Sequence, residues 1–173
     1  MSISTYIQAN TTSVDFLINA LTDMSQENYD IIAKPAFQSS IGAHYRHIIE
    51  HYQCFFSQFD ADEVINYDAR QRNIQIETDI QYGLQQLRLI HSRLTNFRCD
   101  DKREILVADE HCDYQMRSSL SRELMFLIGH TEHHSAMIAA MLRMSGHGVD
   151  EQFGVANATI NHQHVIQKTE KSA

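Results

Sequence analysis

The chain contains very few residues that interrupt a helix: its 173 residues include only 6 glycines and 1 proline. A fold built from β-strands needs turn residues every ~8–12 positions, and this chain does not supply them. Long helices are therefore the elements that this sequence forms most readily. The chain is also short enough to be expected to fold as a single domain over residues 1–173 with one hydrophobic core.

Apolar residues recur at steps of three and four along four stretches, which predicts four amphipathic helices. These stretches are residues 3–24, 41–59, 75–97 and 118–144. A polar connection, residues 60–73, joins the second helix to the third. A short β-like run at residues 103–107 lies between helices 3 and 4 and is expected to pair with the stretch near Gln115. We predict an all-α four-helix bundle with this short β-like segment.

The charge and the cysteines exclude several classes of function. The chain has 14 Lys and Arg against 22 Asp and Glu, a net charge of −8, whereas nucleic-acid binding needs a basic surplus. No stretch approaches the ~20 apolar residues of a membrane helix, and the N-terminal residues do not resemble a signal peptide. The 3 cysteines have no CxxC spacing. We therefore expect a cytoplasmic protein with reduced thiols that binds neither nucleic acid nor membrane.

Histidine is abundant, with 11 residues, and these residues are clustered. His130 and His134 lie four positions apart on the fourth helix, so their side chains project side by side, with ~5–6 Å between Cβ atoms. That spacing allows two imidazoles to close on one ion with bonds of ~2.0–2.1 Å. A second stripe on the second helix contains His44, His47 and His51. The two clusters predict a metal site inside the bundle, and the alternative is hydrogen-bonded core histidines or a solvated rim.

Two known kinds of metal site do not fit these residues. The segment His130-Thr-Glu-His-His134 has its glutamate one place later than the HExxH motif of zinc peptidases, so Glu132 points roughly opposite to His130. A di-iron bundle needs Glu-x-x-His motifs, and no acidic residue here has a histidine three positions later. A mononuclear site follows. Spacing favours His134 over the neighbouring His133 without excluding it, and the choice on the second helix stays open.

The segments Ser40–His51 and Gly129–Ile138 resemble the two signature helices of the DinB-like/YfiT-like superfamily of metal-dependent enzymes. The resemblance implies a four-helix bundle in which one histidine of the second helix and an HxxxH pair of the late helix hold a divalent metal ion. By motif, those ligands are His47, His130 and His134. The extra histidines, His44, His51 and His133, could replace or supplement them.

The resemblance further implies zinc or nickel and either thiol transfer or hydrolysis on a small molecule, with a thiol as one class of substrate. The alternative is a non-catalytic metal- or ligand-binding bundle that acts as a dimer, and we expect a homodimer in either case. No catalytic residue follows from the sequence. Candidate outer partners of the ligands are Glu50, Glu123 and His51, with Tyr45, Tyr52 and Arg46 as candidates for the mouth of the site and Arg70 and Arg72 for anion binding.

Overall fold

Four long helices dominate the computed structural model, which describes residues 3–99, 103–109, 112–156, 159, 160 and 162. The helices in chain order are α1 (Ile3–Thr22), α2 (Gln26–Tyr29), α3 (Ile41–Asp60), α4 (Ile74–Thr78), α5 (Ile80–Thr95) and α6 (Leu120–Met144), with a 3-10 turn at Tyr67–Ala69. Helices α1 and α3 each pack against both α5 and α6, so the bundle runs α1, α5, α3, α6 around its core. This arrangement confirms the predicted four-helix bundle. Among the described residues, no helix has the length and apolar composition that a membrane crossing requires.

The β-like segment is a two-stranded antiparallel hairpin, formed by β1 (Glu104–Asp109) and β2 (Cys112–Ser119). Glu104 pairs with Ser119 and Val107 with Met116, and the register shifts between Val107 and Asp109. The pairing confirms the predicted hairpin but corrects the start of the fourth helix, because β2 continues through Ser119. The Ser119 hydroxyl accepts the Arg122 N–H at 3.3 Å and so caps α6, which begins at Leu120.

The third predicted helix, residues 75–97, is divided into α4 and α5 at Asp79. Asp79 has extended backbone angles, and its carboxylate accepts the N–H groups of Gln81 and Tyr82 at 3.0 and 3.1 Å. The N–H of Ile80 donates to the side chain of Gln26 at 3.0 Å instead of to a helical carbonyl. A side chain from the start of the chain therefore helps to end one helix and begin the next.

A buried polar network fixes α1, α3 and α6 relative to one another. The Tyr52 hydroxyl donates to the Asn10 amide oxygen at 2.7 Å and accepts from Thr131 at 3.2 Å. The Asn10 amide nitrogen in turn donates to the Leu124 carbonyl at 3.0 Å. Because these groups are buried and satisfied, any sliding of α3 along α6 would leave polar atoms without partners. The network thereby sets the register between the two helices that carry the histidines.

Tyr29 fills a tight space between Gly42 of α3 and Gly83 of α5. Its ring is fully buried and its hydroxyl donates to the Ile76 carbonyl at 2.6 Å. A Cβ atom on Gly42 would lie 2.1 Å from the Glu77 carbonyl oxygen and 2.8 Å from a Tyr29 ring carbon. Both distances are far below van der Waals contact, so α3 can approach α4 this closely only with glycine at position 42.

Replacing Gly42 by alanine is therefore expected to lower the free energy of unfolding by about 1–3 kcal/mol, the usual range for overpacking. Urea unfolding followed by circular dichroism measures the change. Gly129→Ala is the matched control, since a Cβ there meets no atom within 4 Å. That control should raise stability by about 0.5–1 kcal/mol, because alanine replaces glycine within a helix. Equal stability of the two variants would contradict the packing argument.

Candidate metal centre

The site lies between α3 and α6, which are neighbours in the bundle. His47 projects from the middle of α3, and His130 and His134 project from successive turns of α6. The Ser40 hydroxyl caps α3 by accepting the Ala43 N–H at 3.0 Å. Each of the two helices buries its apolar face in the core, and the histidines beside that face are thereby turned toward the other helix. The structure thus brings the three predicted ligands to one place.

The three imidazoles surround a common point. One nitrogen from each of His47, His130 and His134 lies within 4.8 Å of the others. The ring centroids are 4.9 Å apart for His47 and His130, and 4.6 Å apart for the other two pairs. The Nδ1 atom of His130 is buried and has no hydrogen-bond partner among the described residues. Three nitrogen donors and an unsatisfied ring nitrogen fit a divalent ion such as zinc, which binds neutral imidazole.

Their surroundings keep these histidines neutral. Burial, helped by repulsion from neighbouring histidines, lowers the pKa of His130 to about 2 and the pKa of both His47 and His134 to about 3. A metal ion binds only the unprotonated ring, so no proton needs to be displaced from these side chains near pH 7. The arrangement therefore has the protonation state that metal binding requires.

The three additional histidines occupy different positions around this cluster. The Nδ1 atom of His44 lies 3.0 Å from Nδ1 of His134, so one of the two nitrogens donates a hydrogen bond and the other accepts it. His51 donates from Nδ1 to the His47 carbonyl at 2.7 Å, and its ring centroid lies 3.8 Å from that of His130. His133 is exposed on α6, with its ring centroid 5.1 Å from that of His134. Hence His44 and His51 contact the cluster, and His133 lies beside His134 on the exposed side of α6.

The predicted outer partners differ in their outcome. Glu123 is buried but binds the Tyr67 hydroxyl at 2.9 Å and the Ser118 hydroxyl, with no histidine among these contacts. Glu50, 2% exposed, accepts the Asn73 N–H at 2.6 Å. The two tyrosines proposed for the mouth, Tyr45 and Tyr52, are fully buried in the core, which makes that prediction wrong.

Arg70 is the residue whose place the sequence did not reveal. It follows the 3-10 turn in the connection between α3 and α4, and its Nη2 atom lies 3.2 Å from Nδ1 of His47. Its Nη1 atom donates to the Tyr67 carbonyl at 2.7 Å, and Nε lies 3.8 Å from a carboxylate oxygen of Glu50. The sequence suggested only that this loop presents cations to anions. The structure places one of those cations directly against a predicted ligand.

A cleft of about 440 Å³ opens beside the histidines. Its walls come from α6, the 3-10 turn and the hairpin, and include the rings of His51, Tyr67 and Phe126. The connection after α3 supports the hairpin wall, since the Ile65 N–H donates to the Leu106 carbonyl at 2.9 Å. His51 lines the cleft, and its ring centroid lies 3.8 Å from that of His130, so the cleft adjoins the histidine cluster at this residue.

Comparison with known proteins agrees with this architecture. YfiT from Bacillus subtilis, described as a probable metal-dependent hydrolase with an unusual four-helix bundle topology, superimposes with a TM-score of 0.66. The match covers 86% of this chain and 91% of YfiT at 17% identity, and it therefore establishes the fold. FK506-binding protein 5 of Rhizopus delemar is 33% identical over an alignment of 106 positions, and the match covers 57% of this chain and 27% of that protein. The chain thus spans about a quarter of the length of this relative.

The sequence model of the DinB family matches residues 1–163, nearly the whole chain. The match includes α3 and α6 and therefore all of the clustered histidines. It agrees with the resemblance of the segments Ser40–His51 and Gly129–Ile138 to the signature helices of that family. This chain belongs to the DinB family.

Proposed function

We propose that this protein is a metal-dependent hydrolase of a small molecule and that His47, His130 and His134 hold its ion. The observation that carries the proposal is the meeting of three neutral imidazoles within 4.8 Å of one another. Structural zinc sites usually close the shell with four protein ligands, whereas three histidines are typical of catalytic sites. The description of YfiT as a probable metal-dependent hydrolase supports the same reaction class.

A divalent ion held by three histidines keeps an open position and can acidify a bound water or thiol toward neutral pH. The chain's own residues supply the rest of the site. His51 donates a hydrogen bond from Nδ1 to the His47 carbonyl. Its other ring nitrogen, Nε2, therefore carries the lone pair and is available to a molecule in the cleft. The aromatic rings of Tyr67 and Phe126 offer an apolar wall for the body of that molecule. The volume of the cleft suits a small substrate rather than a macromolecule.

Zinc or nickel is the proposed ion, because both bind imidazole well. Thiol transfer is the second reaction class to test, since the same site would convert a bound thiol to a thiolate. A homodimer in the cytoplasm completes the proposal. Light scattering of the purified protein measures the oligomeric state, and fractionation of the source cells measures the location.

Metal analysis of protein purified without an affinity tag is the decisive experiment. We expect about one zinc or nickel ion per chain, and turnover of ester or thiol-conjugation substrates that chelation abolishes and added metal restores. One bound ion without turnover across both screens would instead favour a non-catalytic metal-binding bundle. Absence of any bound ion, including after incubation with zinc and nickel, would overturn the proposal.

A further inference from the structure

The hydrogen bond between Arg70 and His47 bears on metal binding in a way that does not depend on which ring nitrogen binds the ion. An arginine side chain only donates hydrogen bonds, so Nδ1 of His47 must use its lone pair to accept from Nη2 of Arg70 at 3.2 Å. A neutral imidazole has one lone-pair nitrogen and one N–H. While Arg70 holds Nδ1, the proton of His47 therefore sits on Nε2, and neither nitrogen can bind a metal ion.

From this geometry we infer that Arg70 and the metal ion compete for His47, and that Arg70, once released, binds the anionic group of a carboxylate ligand at the same site. The inference rests on the proposed function, because it takes His47 as a ligand. If His47 binds the ion through Nδ1, the ion takes the atom that Arg70 now contacts. If it binds through Nε2, Nδ1 carries the proton and repels the Arg70 donor. The contact with Arg70 is lost in both cases.

The released guanidinium would remain beside the ion. Its Nη1 atom is anchored on the Tyr67 carbonyl at 2.7 Å, and the side chain is only 15% exposed. Its Nε atom is buried and makes no hydrogen bond within the described residues. Arg70 would thus keep free donors close to His47, in a fork that suits a carboxylate.

The charges around Arg70 favour an anionic ligand once the ion is bound. Glu50 is the acidic partner of Arg70 among the described ion pairs, at a long 3.8 Å, and Arg46 approaches the same carboxylate at 4.0 Å. A divalent ion adds two positive charges close to a guanidinium that Glu50 only partly offsets. A carboxylate between the ion and Arg70 would relieve that repulsion. Binding of the ion and binding of the carboxylate should therefore strengthen each other to the same extent.

The test is the zinc affinity of the full chain, measured by competition with a chromophoric chelator at constant ionic strength, with and without acetate as the probe. Without acetate, Arg70→Gln is expected to bind zinc at least about fivefold more tightly than the unaltered protein, because the competing guanidinium and its positive charge are gone. Acetate should raise the zinc affinity of the unaltered protein and should have a much smaller effect on Arg70→Gln. Equal or weaker zinc binding by Arg70→Gln, or an equal acetate effect in both proteins, would overturn the inference.

Arg72→Gln is the matched control, since it removes the same charge from an exposed residue of the same connection. It should behave as the unaltered protein, and an identical gain in both variants would reduce the effect to general charge and contradict the specific competition. If Arg70→Gln does not fold, nitrogen-15 NMR of the unaltered apoprotein gives an independent readout. Protonation of His47 at Nε2, lost on adding zinc, is expected, and protonation at Nδ1 in the apoprotein would refute the competition.

These outcomes separate the inference from the proposed function. Zinc binding by all three proteins without an Arg70 effect refutes the competition and leaves the metal site standing. Failure of every protein to bind zinc refutes both, because Arg70 then has no ion to compete with. Absence of the acetate effect together with tighter zinc binding by Arg70→Gln refutes the anion-binding role.

Discussion

Replacing His130 by alanine is expected to abolish metal binding at the proposed site and with it the proposed hydrolytic activity. Loss of an outer partner of a ligand alone costs ~10–100-fold in metal affinity, so loss of a ligand should cost more than about 100-fold. At a zinc concentration of ~1,000 times its dissociation constant, the unaltered protein gains ~4.1 kcal/mol of stability, and a 100-fold weaker variant gains about 1.4 kcal/mol. Urea unfolding with added zinc or with chelator measures this difference directly.

The apoprotein should tolerate the same substitution. Nδ1 of His130 has no hydrogen-bond partner among the described residues, so the alanine variant leaves no partner unsatisfied at that atom. We expect the stability of the metal-free variant at pH 7 to stay within about 1 kcal/mol of the unaltered apoprotein. His133→Ala is the control, because His133 lies on the same helix but is exposed. If His133→Ala loses zinc and His130→Ala keeps it, the ligand assignment is wrong.

The bundle could be predicted from sequence because its determinants are local. Apolar periodicity and the scarcity of glycine and proline specify long helices, and these signals need no knowledge of distant residues. The division at Asp79 could not be predicted in the same way. It depends on the Gln26 side chain accepting the Ile80 N–H from 54 positions away, a contact that exists only in the folded chain.

The candidate site shows the same division between local and tertiary information. His130 and His134 are neighbours on one helix by geometry alone, so their pairing followed from a spacing of four. His47, rather than His44 or His51, is grouped with this pair within 4.8 Å, and that depends on how α3 is rotated and shifted against α6. The Tyr52, Asn10 and Thr131 network holds that register. For this reason the sequence left the choice open until the family resemblance was considered.

Arg70 could not be placed because it lies in a polar connection without a periodic pattern. Its position depends on the path of the 3-10 turn, which the Asn66 side chain stabilises by accepting the N–H groups of Asp68 and Ala69 at 3.0 and 3.2 Å. The motif of alternating arginines indicated a cationic loop. Only the folded path shows which arginine reaches a histidine.

Mild acid is expected to destabilise the metal-free protein strongly. Burial is the largest cause that lowers the pKa of His51 to about 4, of His47 and His134 to about 3, and of His130 to about 2, against an unfolded value near 6.5. Because the folded pKa is the lower one, the unfolded chain takes up protons first as the pH falls. This contribution to stability is therefore fully present above about pH 6.5. It declines as the pH falls from that value toward the folded pKa values, the highest of which is about 4.

Each of these histidines can contribute at most about 1.4 kcal/mol per pH unit within that window. Water reaches the partly exposed rings, so the summed loss of unfolding free energy between pH 7 and pH 5 should be smaller than these maxima would give. We expect a loss on the order of 2–4 kcal/mol for the apoprotein. Urea unfolding at pH 7, 6 and 5 in the presence of chelator measures the loss. An unfolding free energy that does not change over this range would contradict the proposed burial of neutral histidines.

Two comparisons assign the acid effect to the histidine cluster rather than to the whole surface. His130→Ala removes the most strongly shifted of these histidines, so its stability should depend less steeply on pH than that of the unaltered apoprotein. His133→Ala removes an exposed ring and should leave the slope close to the unaltered one. Zinc should raise stability at pH 7 and lose this effect as the pH falls, because protons and the ion compete for the same ring nitrogens. A pH slope that is identical in all three proteins would place the titrating groups elsewhere in the chain.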